Sequence, residues 1–366
     1  MADPRVDQMA KILINYSLAI KPGDKLMVRS DSAAAPLVDA VFREAIRAGA
    51  HIFTRIELPH LAEIRYRESS DEQLTYVSEL EKLEIETIDA YLHIVGEENT
   101  KALSNVDPKR LAMRRAARKD LTQRFDERFE AGDLRWCVTV FPTQAHAQDA
   151  SMSLSEYETF VFNACLLDKD DPVELWQQVG AENERIARYL MQHDEIHIVA
   201  PDTDITYRVG GRKWISAHGK ENFPDGEVFT APIEDSVNGT VRFTYPAIYG
   251  GRSAEDIRLA FRDGVVVEAA AAKGQEFLLA MLDTDAGARR LGEVAFGTNY
   301  GIQQFTGNLL FDEKIGGTMH MALGAAYKDS GGTNESGLHW DIVCDLREGR
   351  VYADGELCYE NGKFII

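Results

Sequence analysis

The sequence predicts an α/β domain with a mostly parallel sheet, followed by a β-rich α+β domain. Three observations carry this reading. The first half alternates short apolar runs with amphipathic stretches of helical period. The second half breaks into short strand-like runs punctuated by Gly, and the acidic cluster Asp168-Lys-Asp-Asp-Pro172-Val-Glu174 separates the two textures. At 366 residues the chain is too long for one ordinary core, so two domains are expected, 1–167 and 168–366.

In chain order, an amphipathic helix over Ala2 to Ile20 leads through a Pro-Gly turn to a strand at 25–29. The Ala-rich stretch 33–48 then reads as a helix and 51–56 as a strand. Strands are expected at 90–95 and 135–141, with a long charged helix over 108–131 between them. Neither G-x-G-x-x-G nor a P-loop follows the first strand, so the sheet carries no phosphate-binding signature, and this half reads as a scaffold or dimerisation domain. Asp171 offers an N-cap, Pro172 a first helical position and Glu174 a favourable charge, which opens a helix to about 191. Beyond it, strands are expected near 196–200, 205–209, 228–232, 241–245, 257–261, 265–269 and 351–353, with one helix over 276–283.

Lys and Arg number 40 against 60 Asp and Glu, a net charge of −20 that repels nucleic acid and anionic lipid. No run approaches the roughly 18 apolar residues of a membrane span. The N-terminus lacks the basic and apolar regions of a signal peptide, and a cytoplasmic protein without membrane or nucleic-acid partners is expected. Cys137, Cys165, Cys344 and Cys358 are scattered through apolar runs with no C-x-x-C pair, as reduced buried thiols would be.

His320 and His339 stand apart from the other histidines by their surroundings. His320 lies in the polar-poor segment Thr318-Met-His320-Met-Ala-Leu-Gly, where an unpartnered imidazole is costly. In Gly337-Leu-His339-Trp-Asp341-Ile-Val, strand geometry turns His339 and Asp341 to one face and Trp340 to the other. Taken alone, this pair fits a structural hydrogen bond as well as a metal site. Glu227, in Asn222-Phe-Pro-Asp-Gly-Glu227-Val-Phe, and Glu293, in Leu291-Gly-Glu293-Val-Ala-Phe, shift the balance. Each places an acid in an apolar strand, and burying an ionised carboxylate costs several kcal/mol unless a cation neutralises it. Five N and O candidates suit two divalent ions sharing a carboxylate and a water. The chemistry expected is hydrolysis, with a water made acidic by two ions attacking a polarised carbonyl. Glu227 or Glu293 would relay the proton and Tyr327 would donate to the oxyanion, although Tyr327 fits a core tyrosine equally well. Glu234 is a competing acid near the first motif.

The succession Phe-Pro-Asp-Gly-Glu227-Val-Phe-Thr-Ala-Pro, Leu-Gly-Glu293-Val-Ala, Leu-Phe-Asp-Glu313, His320-Met-Ala-Leu-Gly-Ala-Ala-Tyr327 and Asn-Glu-Ser-Gly-Leu-His339-Trp-Asp341 resembles the aminopeptidase T, aminopeptidase S and PepS family. The resemblance implies a cytoplasmic, dimeric exopeptidase that uses two divalent ions, zinc or cobalt ahead of manganese or magnesium, on peptides with a free N-terminus. It implies Glu227, Glu293, Glu313, His320, His339 and Asp341 as metal ligands and Tyr327 as an active-site hydroxyl. The rival reading is a mononuclear Fe(II) ring-cleaving dioxygenase of the same superfamily, for which His320, His339 and Asp341 would form the iron triad. A metal-stabilised scaffold without turnover is a third.

Overall fold

The computed structural model describes residues 3–366, which divide into two compact units. Among the described residues the first comprises 3–173 with the strip 219–223, and the second 174–218 with 224–366. In the first unit the strands β1 (Lys25–Asp31), β2 (His51–Glu57), β3 (Ala90–Val95) and β4 (Arg135–Val140) are joined by Asn222–Phe223 in the order β2-β1-β3-β4-(222–223). All four pairings are parallel, as strands separated by helical crossovers must be. Leu26, Val28, Leu92 and Ile94 are buried in it.

Two expected helices differ from the structure. The first spans Pro4–Ile12, capped by Asp3, and widens into a π-helical turn over Leu13–Ser17; the chain then reverses at Ala19, held at φ +45°. Its expected first residue, Ala2, lies outside the described residues. The single helix expected over 108–131 is two, Pro108–Ala117 and Lys119–Glu130, broken at Arg118. The Arg118 guanidinium pairs there with Glu81 of the facing helix Glu79–Thr87, and its backbone leaves helical geometry at ψ 4°. No helix among the described residues is long and apolar enough to cross a membrane.

The second unit contains an eight-stranded antiparallel sheet, running from 265–270 through 257–262, 238–243, 203–208, 195–200, 350–353 and 356–360 to 363–364. It also contains the sheet that matters for function, formed by β5 (Ile215–Ala217), β6 (Glu227–Thr230), β7 (Leu291–Gly297), β8 (Thr318–Gly324) and β9 (His339–Asp345) in the order β9-β8-β7-β6-β5. One face of this sheet, including Val228, Val294, Phe296, Met319, Met321, Leu323, Trp340 and Ile342, packs into the unit's main apolar core. Because side chains alternate along a strand, the other face is left for polar chemistry.

Candidate metal centre

Register decides which residues share that second face. Asp341 lies opposite Ala322, and Ala322 opposite Glu293, so two acids stand in one row across three strands with a methyl group between them. Two residues along β8, His320 shares the face; His339 pairs with Gly324, and Glu227 with Gly297. Ala and Gly at the intervening positions leave room for the longer ligating side chains to converge. Gly226, at φ +123°, allows the Pro-Asp-Gly turn to deliver Glu227 to β6, and a Cβ there would come within 2.8 Å of Asn299 Cβ. Glu313 does not come from the sheet but follows the short helix Leu309–Asp312, and its carbonyl accepts from His320 Nδ1 at 3.0 Å.

The structure brings all six sequence-derived metal candidates together in three overlapping groups, each with ligand atoms within 4.8 Å of one another. Glu227, Glu293 and His320 form one; Glu293, His339 and Asp341 a second; Glu313, His320 and Asp341 a third. Glu293 links the first two groups, with Oε1 3.4 Å from His320 Nε2 and Oε2 3.4 Å from His339 Nε2. Both imidazoles are oriented from behind: His320 Nδ1 by the Glu313 carbonyl and His339 Nδ1 by the Ala325 carbonyl at 2.8 Å. With Nδ1 donating in each, Nε2 is the nitrogen presented to the cluster.

Tyr327 packs its ring 4.9 Å from that of His339 and remains 49% exposed. Loss of hydration at its hydroxyl, reinforced by Glu293 and Asp341, raises its proton affinity, so the group is a donor. Glu234 stands apart, bound to Arg212 at 2.6 Å and to Thr333. None of the other seven histidines enters a ligand group among the described residues.

Sequence reasoning missed Lys314 and Asp225. The Lys314 ammonium is fully buried, 2.8 Å from Glu227 Oε1, bound to Glu313, and 3.9 Å from Asp225. Its neighbours outweigh the burial penalty and hold its pKa well above the ordinary value. Even beside this cation, burial pushes the Glu227 carboxyl up to about 8. Burial acts the same way on Glu293, but hydrogen bonds from His320 and His339 overcome it and draw the pKa down to about 2.

Glu227 Oε2 and Asp341 Oδ1 are buried with no hydrogen-bond partner. A buried carboxylate oxygen left without a donor is expensive, and divalent metal held by these carboxylates and the two imidazoles would satisfy them. The residues therefore fit divalent metal, and the fold and the site together define a metal-dependent enzyme.

The chain belongs to the thermophilic metalloprotease family M29, whose profile matches residues 2–364. It is 31% identical to aminopeptidase 2 of Geobacillus stearothermophilus, over 97% of this chain and 95% of that protein. Aminopeptidase T of Thermus thermophilus is 30% identical over 98% and 95%. The structure of wild-type AmpT from Thermus thermophilus superposes with a TM-score of 0.87 at 26% identity, covering 99% of both chains. A 2,5-dihydroxypyridine dioxygenase from Pseudomonas putida KT2440 superposes at 0.58 with 14% identity over 98% and 96%, a likeness of fold alone. The chain is accordingly a metallo-aminopeptidase, a hydrolase of the exopeptidase type, and divalent metal ions serve it.

Proposed function

We propose that the chain holds two divalent ions, through Glu227, Glu293, Glu313, His320, His339 and Asp341, and removes single residues from the N-termini of unblocked peptides. The observation that carries this reading is the place of Glu293, one carboxylate turned to two imidazoles and common to two ligand groups. Charge supports the count. Asp225, Glu227, Glu293, Glu313 and Asp341 oppose one buried ammonium, Lys314, and two divalent cations balance the excess of negative charge. Zinc or cobalt suits a donor set of imidazole and carboxylate without sulfur. A cytoplasmic homodimer is the setting that the family resemblance implies.

When bound, the ions make a water acidic and polarise the scissile carbonyl. The protein's own residues do the rest. Glu293 stands between the two ligand groups and fixes their spacing, while the carbonyls of Glu313 and Ala325 lock the imidazoles in one tautomer. Of the two acids, Glu227, pushed up to about 8, rather than Glu293, drawn down to about 2, has the proton affinity to take the proton from the attacking water and return it to the leaving amine. Tyr327 donates to the oxygen that gains charge. The chain's net charge of −20 favours the approach of a peptide's cationic amino terminus.

The test is to incubate metal-reconstituted protein with one peptide in free and N-acetylated forms. Stepwise release from the free form alone is expected; cleavage of the blocked form, or cleavage within the chain, overturns the proposal.

A further inference from the structure

The first unit contains a cavity of about 660 Å³ whose lining includes six arginines, Arg29, Arg55, Arg65, Arg114, Arg115 and Arg118, against two acids, Glu57 and Glu81. We propose that it binds a compact oxyanion carrying two or more negative charges. Part of the positive charge is neutralised: Arg29 pairs with Glu57 at 2.7 Å, Arg55 with Glu84 at 2.5 Å, and Arg118 with Glu81. Three cations remain. Arg114 donates only to the carbonyls of Leu74 and Tyr76, and Arg65 and Arg115 make no ion pair among the described residues. In a chain with a net charge of −20, an uncompensated cluster of this sign is not a by-product of composition.

Placement points the same way. Arg29 of β1 and Arg55 of β2 are register neighbours near the carboxyl ends of parallel strands, where open α/β sheets bind their ligands. Like charges side by side in a ladder are destabilising without a counter-charge; Glu57 and Glu84 supply one carboxylate to each of this pair, which leaves the charge of Arg65, Arg114 and Arg115 for a ligand. Desolvation, together with repulsion from Arg118 and Arg65, lowers the Arg114 pKa against the attraction of Glu81, so a further anion beside it would be stabilising. Every cation in the lining is arginine, whose planar fork matches carboxylate and phosphate oxygens in pairs. The sequence offered no signal of this site, since it has neither a glycine-rich loop nor a P-loop.

The experiment is calorimetric titration of the full-length, metal-loaded protein with inorganic phosphate and, separately, with N-acetyl-triglutamate, which has no free amino terminus. Each is repeated on the double variant Arg65→Gln/Arg115→Gln and on Arg65→Lys/Arg115→Lys. Neither position belongs to the metal centre, so all three proteins should hydrolyse peptides at the same rate, and binding of a probe at the metals appears equally in all. Expected is binding of at least one probe that weakens with salt, falls at least about tenfold in the Gln variant and is partly kept in the Lys variant. Phosphate as the tighter probe assigns a phosphorylated small molecule, and the peptide a carboxylate-rich one. No binding by the parent protein, or equal binding by parent and Gln variant, overturns the proposal.

Discussion

Lys314 sets its buried ammonium 2.8 Å from Glu227 Oε1 and binds Glu313 with the same nitrogen, so one side chain steadies two acids of the candidate centre from behind. Removing one partner of a buried ion pair costs about 3–5 kcal/mol. Lys314→Met should therefore lower the Tm of the chelator-treated protein by roughly 10 °C. The metal-loaded form should lose much less, because the ions neutralise the same carboxylates. Calorimetry of both forms checks this, and an equal loss in the two would show that Lys314 is not coupled to the metals.

Glu293 is the carboxylate common to two ligand groups. Glu293→Gln preserves its shape but removes the charge and one strong ligand oxygen. Bound metal should fall below two equivalents, and kcat/KM should drop by at least about a hundredfold, while circular dichroism stays that of the parent. Retention of both metal equivalents would exclude the bridging role.

Metal uptake should release protons. In the metal-free protein burial works against a charged His320, but the hydrogen bond to Glu293 and the charge of Glu227 prevail and lift its pKa to about 10. The same contest, decided by Asp341 and Glu293, lifts His339 to about 11. At neutral pH both imidazoles are thus protonated, and Glu227, pushed up to about 8, largely keeps its proton too; all three must lose a proton before ligating, so metal affinity should rise with pH and about three protons should leave per chain. Binding enthalpies measured in buffers of different ionisation heat count them. The metal-free fold should respond in the opposite sense. Histidines whose pKa is raised on folding give stability that is full below the unfolded value of about 6.5 and lost as pH rises through about 10 and 11. Chelated protein should accordingly melt lower as pH rises through that window, and a rising Tm there would contradict the scheme.

Much of the centre was legible because its chemistry conflicts with its surroundings. Glu227 and Glu293 are acids in strands otherwise apolar, and the alternation His339-Trp340-Asp341 has only one reading on a strand. Glu313 came from resemblance alone, because it sits in a turn off the sheet where an acid is ordinary. Lys314 and Asp225 were hidden for the same reason: a Lys in Glu-Lys-Ile-Gly-Gly, or an Asp in a Pro-Asp-Gly turn, reads as solvated, and only the fold shows both buried. The strand Thr318–Gly324, buried along its whole length, shows no period of two by which to recognise it. Nothing in the 108–131 segment, without Pro or Gly near Arg118, announces the break that its pairing with Glu81 accompanies.

Tyr327 offers the clearest separation of catalysis from folding. Its ring rests against His339 and Phe229 and is 49% exposed, so losing the hydroxyl opens no cavity and leaves no buried group unpaired. Tyr327→Phe should fold, melt and bind metal as the parent does. An oxyanion donor contributes in the transition state and little to the bound substrate, so the loss should fall on kcat, by about a hundredfold, with KM nearly unchanged. A rise in KM at constant kcat would instead assign the hydroxyl to substrate binding. An unaltered kcat/KM would leave Tyr327 as a packing residue beside His339.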